Sequence, residues 1–206
     1  MSNIPFDTLE AIGLPVDIPN CDTDRIIPAR FLRYLPSDGG YDRYLFHDLR
    51  FDGNGDPRPD FIYNRAPYDR AELIVADVNW GCGSSREHAV YALQACGMRC
   101  VIAPSFGDIH YGNCVQKGVL PVRLDRATCD RLRAMLHERP GATLRVDLPS
   151  QIVTAPDGTQ HAFEIAAFDK HRLLNGLDDI GLTLEHAGAI ERFERTHFAA
   201  LEWAKV

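Results

Sequence analysis

Eight consecutive residues, Gly81-Cys-Gly-Ser-Ser-Arg-Glu-His88, gather two hydroxyls, a thiol, a guanidinium, a carboxylate and an imidazole on one short stretch of chain. The preceding Ala71-Glu-Leu-Ile-Val-Ala-Asp-Val-Asn79 reads as a strand, and Glu87 to Cys96 as a helix. The first N–H groups of a helix lack intrahelical partners and carry the positive end of its dipole, so they attract carboxylate or phosphate. Gly81 and Gly83 allow backbone angles denied to other residues and let a ligand approach the main chain. Arg86 adds a planar fork suited to a two-point grip on a carboxylate. The pattern predicts a site for a small anion with a potential base, Ser84, inside it.

Plainer and competing chemistries leave different marks. Serine is a preferred helix cap, so Ser84 or Ser85 could simply start the helix. A Walker loop needs Gly-Lys-Ser/Thr at its end, and a nucleophile elbow needs Gly-x-Ser-x-Gly; this stretch is neither. The six cysteines, Cys21, Cys82, Cys96, Cys100, Cys114 and Cys129, include no Cys-x-x-Cys, which gives a structural zinc or redox dithiol little support. Cys82 stands out because a helix N-terminus and Arg86 could activate its thiol.

The elements that must position these groups follow from pattern. The 206 residues suffice for a full core and suggest one domain, and 45% hydrophobic with 25% charged residues is ordinary for a globular protein. A net charge of −7 argues against nucleic acid, and no run is apolar enough to span a membrane. With no basic, apolar leader at the N-terminus, a cytoplasmic protein is expected. Leu9 to Ile18 reads as one or two short strands interrupted at Gly13 and Pro15, leading into the polar loop Asn20-Cys-Asp-Thr-Asp24. After a Gly-, Asp- and aromatic-rich stretch, expected to be a mobile lid over about 30–68 with a short helix near 41–49, strands and helices alternate. They fall at 71–79, 86–97, 99–105, 106–117, 120–124 and 126–138, a pattern that favours parallel pairing. Strands at 142–148, 151–154 and 162–165 then make the sheet mixed, and about 168–206 reads as helices.

Four stretches in order, Asn20-Cys-Asp-Thr-Asp-Arg-Ile-Ile-Pro28, Gly81 to Ala89, Ile102-Ala-Pro-Ser-Phe-Gly-Asp-Ile109 with Asn113, and Gly118-Val-Leu-Pro121, resemble the small subunits of 3-isopropylmalate dehydratases, equivalent to the swivelling domain of aconitase-type hydro-lyases. The resemblance covers about Ile12 to Leu124. It implies an α/β fold with a mixed, barrel-like sheet and outer helices. It also implies a large-subunit partner whose cysteines hold a [4Fe-4S] cluster, with no metal or cofactor in this chain, and a small dicarboxylate substrate. Ser84 matches the family's catalytic base, Ser85 and Arg86 match substrate-carboxylate ligands, and Asp24 matches an aspartate lining the site. Gly81, Cys82, Gly83, Glu87 and His88 would support the turn from behind.

Arg33, where the family's specificity loop begins, is the candidate for binding a further carboxylate, while an isopropyl group would want an apolar wall from Leu32, Tyr34 or Leu35. The resemblance implies the interconversion of 2- and 3-isopropylmalate in leucine biosynthesis, or the same chemistry on citramalate, homoaconitate or another malate-like acid. Outside that class stand a hydrolase using Cys82 or Ser84 with His88, and a non-catalytic binder of organic acids.

Overall fold

A computed structural model describes residues 3–84, 86–201 and 203. In chain order the elements are β1 (Thr8–Val16), α1 (Thr23–Ile26), α2 (His47–Arg50), β2 (Leu73–Ala76), α3 (Glu87–Ala95), β3 (Cys100–Ala103), α4 (Asp108–Gln116), β4 (Leu120–Arg123), α5 (Arg126–Glu138), β5 (Thr143–Asp147), β6 (Ile152–Thr154), β7 (Gln160–Ala162), α6 (Ala167–Asn175), α7 (Asp179–Leu184) and α8 (Ala187–Ala200). Among the described residues the strands form one mixed sheet in the order β4-β3-β2-β1-β5-β6-β7. β1 to β4 pair in parallel and β5 to β7 are added antiparallel, as the alternating pattern predicted.

The parallel half is buried on both faces, which is why its strands read as unbroken apolar runs. Ile74, Ala76, Val101 and Ala103 point into one core with Val90 and Leu93 of α3, Phe46 and Trp80. Their neighbours Leu73, Val75, Cys100 and Ile102 point into a second core with Leu132 and Leu136 of α5 and Leu144 and Val146 of β5. α5 begins and ends where its sequence predicts: Asp125 caps it by accepting from the Thr128 amide.

Gly13 and Pro15 do not interrupt β1, which runs unbroken from Thr8 to Val16. The Gly13 N–H donates to Ala142 on the β5 side. Strand alternation turns the Pro15 nitrogen to the same side, beyond the last β1–β5 pair, Ile12 with Thr143, so no ladder bond is lost. Gly13 is needed because a β-carbon there would lie within 2.7 Å of Leu144 Cδ1 and Leu136 Cδ1. The third antiparallel strand also departs from expectation, falling at 160–162 rather than 162–165, since the Asp157-Gly158 turn closes tightly from Ala155 to Thr159.

The 30–68 segment holds short helical turns around an aromatic nucleus. Tyr41, Leu45, Phe46, Tyr63 and Tyr68 are buried, while residues 35–40 and 52–60 are exposed. Arg50 ties its two halves, donating to Asn64 Oδ1 and to the Asp42 and Leu45 carbonyls while lying over the Tyr63 ring.

A charge cluster centred on a buried arginine fastens the ends of β1 and β2 to α5. Arg133, only 8% exposed at its side chain, donates to Asp17 (2.8 Å), Asp130 (2.6 Å) and the Ala76 carbonyl (2.7 Å), with Asp77 at 3.4 Å. His137 reaches Asp17 at 2.6 Å. Removing the guanidinium leaves the Ala76 carbonyl without that donor and, among the described residues, the mostly buried Asp77 with the Val78 amide alone. Asp17 and Asp130 are half exposed, so Arg133→Met is expected to cost about 2 kcal/mol and to lower Tm by roughly 4–8 °C. Thermal unfolding followed by circular dichroism checks this, and an unchanged Tm would show that the cluster contributes no net stability.

Candidate active site

Three loops meet at the carboxyl ends of the parallel strands, the place where open α/β sheets present their ligand crevices. The loop after β1 (Asn20 to Asp24) lies beside the loop after β2 (Val78 to Ser84), which in turn lies beside the loop after β3 (Ser105 to Gly107). Gly81 donates to the Cys21 carbonyl (2.8 Å), Thr23 to the Cys82 carbonyl (3.1 Å), Trp80 to the Ser105 carbonyl (2.9 Å) and Gly107 to the Trp80 carbonyl (2.8 Å). Asn20 and Asn79 both take left-handed backbone angles, φ 52° and 61°, and the Asn79 side-chain amide donates to Asn20 Oδ1. Asparagine tolerates that region better than other non-glycine residues, which lets both strands turn sharply into the site.

The sequence-separated candidates converge here. Arg86 Nη1 donates to Asp24 Oδ1 at 2.6 Å, across 62 positions of chain. Asp24 does not cap its own helix; Asp22 does, accepting from the Arg25 amide at 2.8 Å, and this frees Asp24 for Arg86. Thr23 Oγ1 donates to the Ser84 carbonyl at 2.9 Å, fixing the turn's backbone from the same loop. Gly83 and Ser84 are exposed, and among the described residues no side chain hydrogen-bonds the Ser84 hydroxyl. Gly81 and Gly83 adopt φ 69° and 84°, angles that only glycine takes readily. Ser85 lies outside the described residues.

α3 opens with Arg86 as its N-cap, in extended conformation and without a side-chain cap, so Ser84 is not spent on starting the helix. Glu87, the first helical residue, pairs with Lys117 Nζ at 2.5 Å, and that bond holds its carboxyl below the usual range. The pair fastens the start of α3 to the end of α4. His88 packs edge-on against Tyr91, ring centroids 5.9 Å apart. Among the described residues it makes no hydrogen bond to Cys82 or Ser84, so the nucleophile–base contact a hydrolase needs is missing.

Arg33 does not join the group. It is exposed, donates to the Tyr34 hydroxyl at 2.9 Å and lies over the Tyr34 ring. Conversely, pattern reading missed His110 and Gly107. His110 is fully buried beneath Gly81, and a β-carbon on Gly107 would come within 2.6 Å of the Gly81 carbonyl oxygen. A lone histidine in a helix carries no signal of such a contact, although Gly107 lay inside a recognisable motif.

The thiols divide by burial. Burial pushes Cys21 and Cys129 up to about 12 and raises Cys100 and Cys114 as well. Cys96 is half-buried, raised by burial, and donates to the Asp42 carbonyl. Cys82 is half-buried in the open turn. Iodoacetamide on the native chain near neutral pH is expected to label Cys82 first, Cys96 more slowly and the other four only after unfolding, read by peptide mass mapping. Equal labelling of Cys21 would contradict this packing. Among the described residues no group of three or more His, Cys, Asp or Glu side chains is placed to hold a metal ion, and no helix is long and apolar enough to cross a membrane.

Comparisons with known proteins give the chain its family. The aconitase C-terminal domain family model matches residues 4–127, LeuD_N matches 130–167, and the C-terminal domain of the 3-isopropylmalate dehydratase small subunit matches 179–201. The chain is 48% identical over 198 residues to a 3-isopropylmalate dehydratase small subunit of Gluconacetobacter diazotrophicus, covering 96% of this chain and 95% of that one. It is 47% identical to the like-named protein of Rhodospirillum rubrum, covering 98% and 97%. A crystal structure of a 3-isopropylmalate dehydratase from Methanocaldococcus jannaschii shares the fold, with a TM-score of 0.65, 24% identity, and coverage of 90% of this chain and 98% of that one. With a candidate site built from the stretches that carry the resemblance, and with relatives matched from end to end, the chain belongs to the family of 3-isopropylmalate dehydratase small subunits.

Proposed function

We propose that this chain is the small subunit of a two-chain hydro-lyase that interconverts 2-isopropylmalate and 3-isopropylmalate by dehydration and rehydration, in leucine biosynthesis. The observation that carries this reading is the meeting of Asp24, Ser84 and Arg86 on an open strand-to-helix turn, a half-site that a second chain can close. The name of its relatives, small subunit, supports such a partner.

In this reading Ser84 is the base that takes the carbon-bound proton of the substrate. A serine hydroxyl is a weak acid, so its oxyanion needs the positive neighbourhood of Arg86 and of the unpaired amides opening α3, in a site that the partner closes to water. Arg86, with Ser85, grips a substrate carboxylate, and Asp24 holds the guanidinium in place through one nitrogen while the remaining donors stay available. Cys82, Gly81, Gly83, Glu87 and His88 shape or brace the turn. The exposed stretch 35–40, which begins at Leu35 and follows Arg33, is the part of the 30–68 segment assigned to close over substrate. The family resemblance assigns the [4Fe-4S] cluster to the large subunit, where it would act as Lewis acid toward the departing hydroxyl.

The test is anaerobic co-expression with the cluster-bearing large chain, following the absorbance of the unsaturated intermediate from 2-isopropylmalate, with citramalate and homocitrate in parallel. Turnover of isopropylmalate by the pair, with neither chain active singly, is the expected result. Preference for another acid would move the substrate assignment and point to Arg33 and its loop. No turnover by a cluster-loaded pair on any of the three would sink the reading in favour of an acid-binding module.

A further inference from the structure

Beneath the Gly81 to Ser84 turn lies a side chain that this chemistry leaves unused. His110, in the first turn of α4, is fully buried. Its ring presses on Gly81 so closely that a β-carbon there would overlap ring atoms Cγ and Cδ2. Among the described residues its Nδ1 has no hydrogen-bond partner, and its Nε2 lies 3.6 Å from the Cys114 thiol. A thiol is a weak hydrogen-bonding partner, so this polar contact holds the ring less firmly than its packing on Gly81 does. Burial pushes its pKa down to about 4, which leaves the ring uncharged near neutral pH. What remains is its shape. On the same flank the Gly107 N–H holds the Trp80 carbonyl, and the Gly107 α-carbon leaves no space for a side chain against Gly81.

We infer that the His110 ring is a wedge that, with the Gly107 backbone, fixes Gly81 in its left-handed conformation and so sets the direction in which Ser84 leaves the turn, making His110 a positioning residue. Its consequence for turnover rests on the function proposed above; the wedge itself does not.

Cys82, next to Gly81, reports the turn directly. In the full chain alone, the rate of Cys82 labelling by iodoacetamide is measured against Cys96, which lies outside the turn, with circular dichroism confirming that each variant is folded. His110→Ala is expected to raise the Cys82:Cys96 labelling ratio about tenfold, and His110→Phe, which restores a flat ring, to return it close to wild type. Gly81→Ala offers a second route, since its β-carbon must displace the ring. It is expected to raise the ratio in the wild-type background through both the ring overlap and the left-handed backbone angle, and by less on His110→Ala, where the strain of φ 69° remains. In the pair with the large subunit, His110→Ala is expected to lower kcat by about tenfold or more, with less change in KM, and His110→Phe to recover it, because small displacements of a reacting group are costly.

A wild-type labelling ratio in His110→Ala, or no rescue by phenylalanine, would overturn the wedge. A labelling response with unchanged kcat would overturn the positioning role. An inactive wild-type pair would instead be the failure of the proposed function, and the labelling measurements would still decide the wedge.

Discussion

Replacing Ser84 by alanine is expected to abolish nearly all turnover of the assembled enzyme, by about 10³-fold or more, while leaving folding and assembly intact. The structure makes the second half of that expectation strong. The fold's hold on Ser84 is the hydrogen bond from Thr23 Oγ1 to its main-chain carbonyl, which alanine keeps, and its side chain is exposed. In the function proposed above the hydroxyl serves the substrate, so its removal should leave the turn itself unchanged. Steady-state kinetics of the pair, with co-purification and thermal unfolding as controls, checks both halves. Residual kcat above about a tenth of wild type would remove Ser84 from the role of base, since general bases contribute at least about 10²-fold.

Arg86→Lys is the second large effect, expected to lower kcat/KM by about 10²-fold, or roughly 2.7 kcal/mol of transition-state binding. Lysine keeps the charge and reaches Asp24 with one ammonium, but it cannot bond Asp24 through one nitrogen while offering a planar pair of donors to a carboxylate. The proposed role asks for both: Nη1 is committed to Asp24 at 2.6 Å, and the side chain, 30% exposed, would offer its other donors to the substrate. Asp24→Asn should cost less, because an amide oxygen still accepts from Nη1. Unchanged kcat and KM in the lysine variant would reject the two-point grip.

How much of this was legible before folding depends on the range of each contact. The strand-turn-helix around Gly81 and the whole of α5 could be read from local pattern, because caps, glycines and apolar spacing act within a few residues. The mixed sheet followed from alternation of element types. That Asp24 and Arg86 touch could not follow from spacing, since it depends on β1 lying beside β2 and on Asp22 taking the capping role nearest to hand. Pro15 looked like a break because the pattern does not say which side of a strand lacks a partner. His110 was invisible for a related reason: its role is steric, set against a residue with no side chain 29 positions earlier (110 − 81). Arg33 drew notice by its type and neighbourhood, yet its own ring neighbour Tyr34 claims it in this structure.

The place of β1 in the sheet has a consequence for the chain as it is made. The first strand synthesised ends as the fourth of seven, and its antiparallel neighbour begins only at Thr143. Once residues through Arg123 have left the ribosome, β1 can pair with β2 and the parallel half can form. Until β5 follows, the future centre of the sheet is a bare edge, able to recruit a strand from another nascent chain. Pro15, which offers no N–H on that side, shortens the recruitable stretch to Thr8 through Gly13. A pause while residues 123 to 147 are emerging from the ribosome would expose that edge longest, so the speed at which this short interval emerges bears on how much of the protein stays unaggregated.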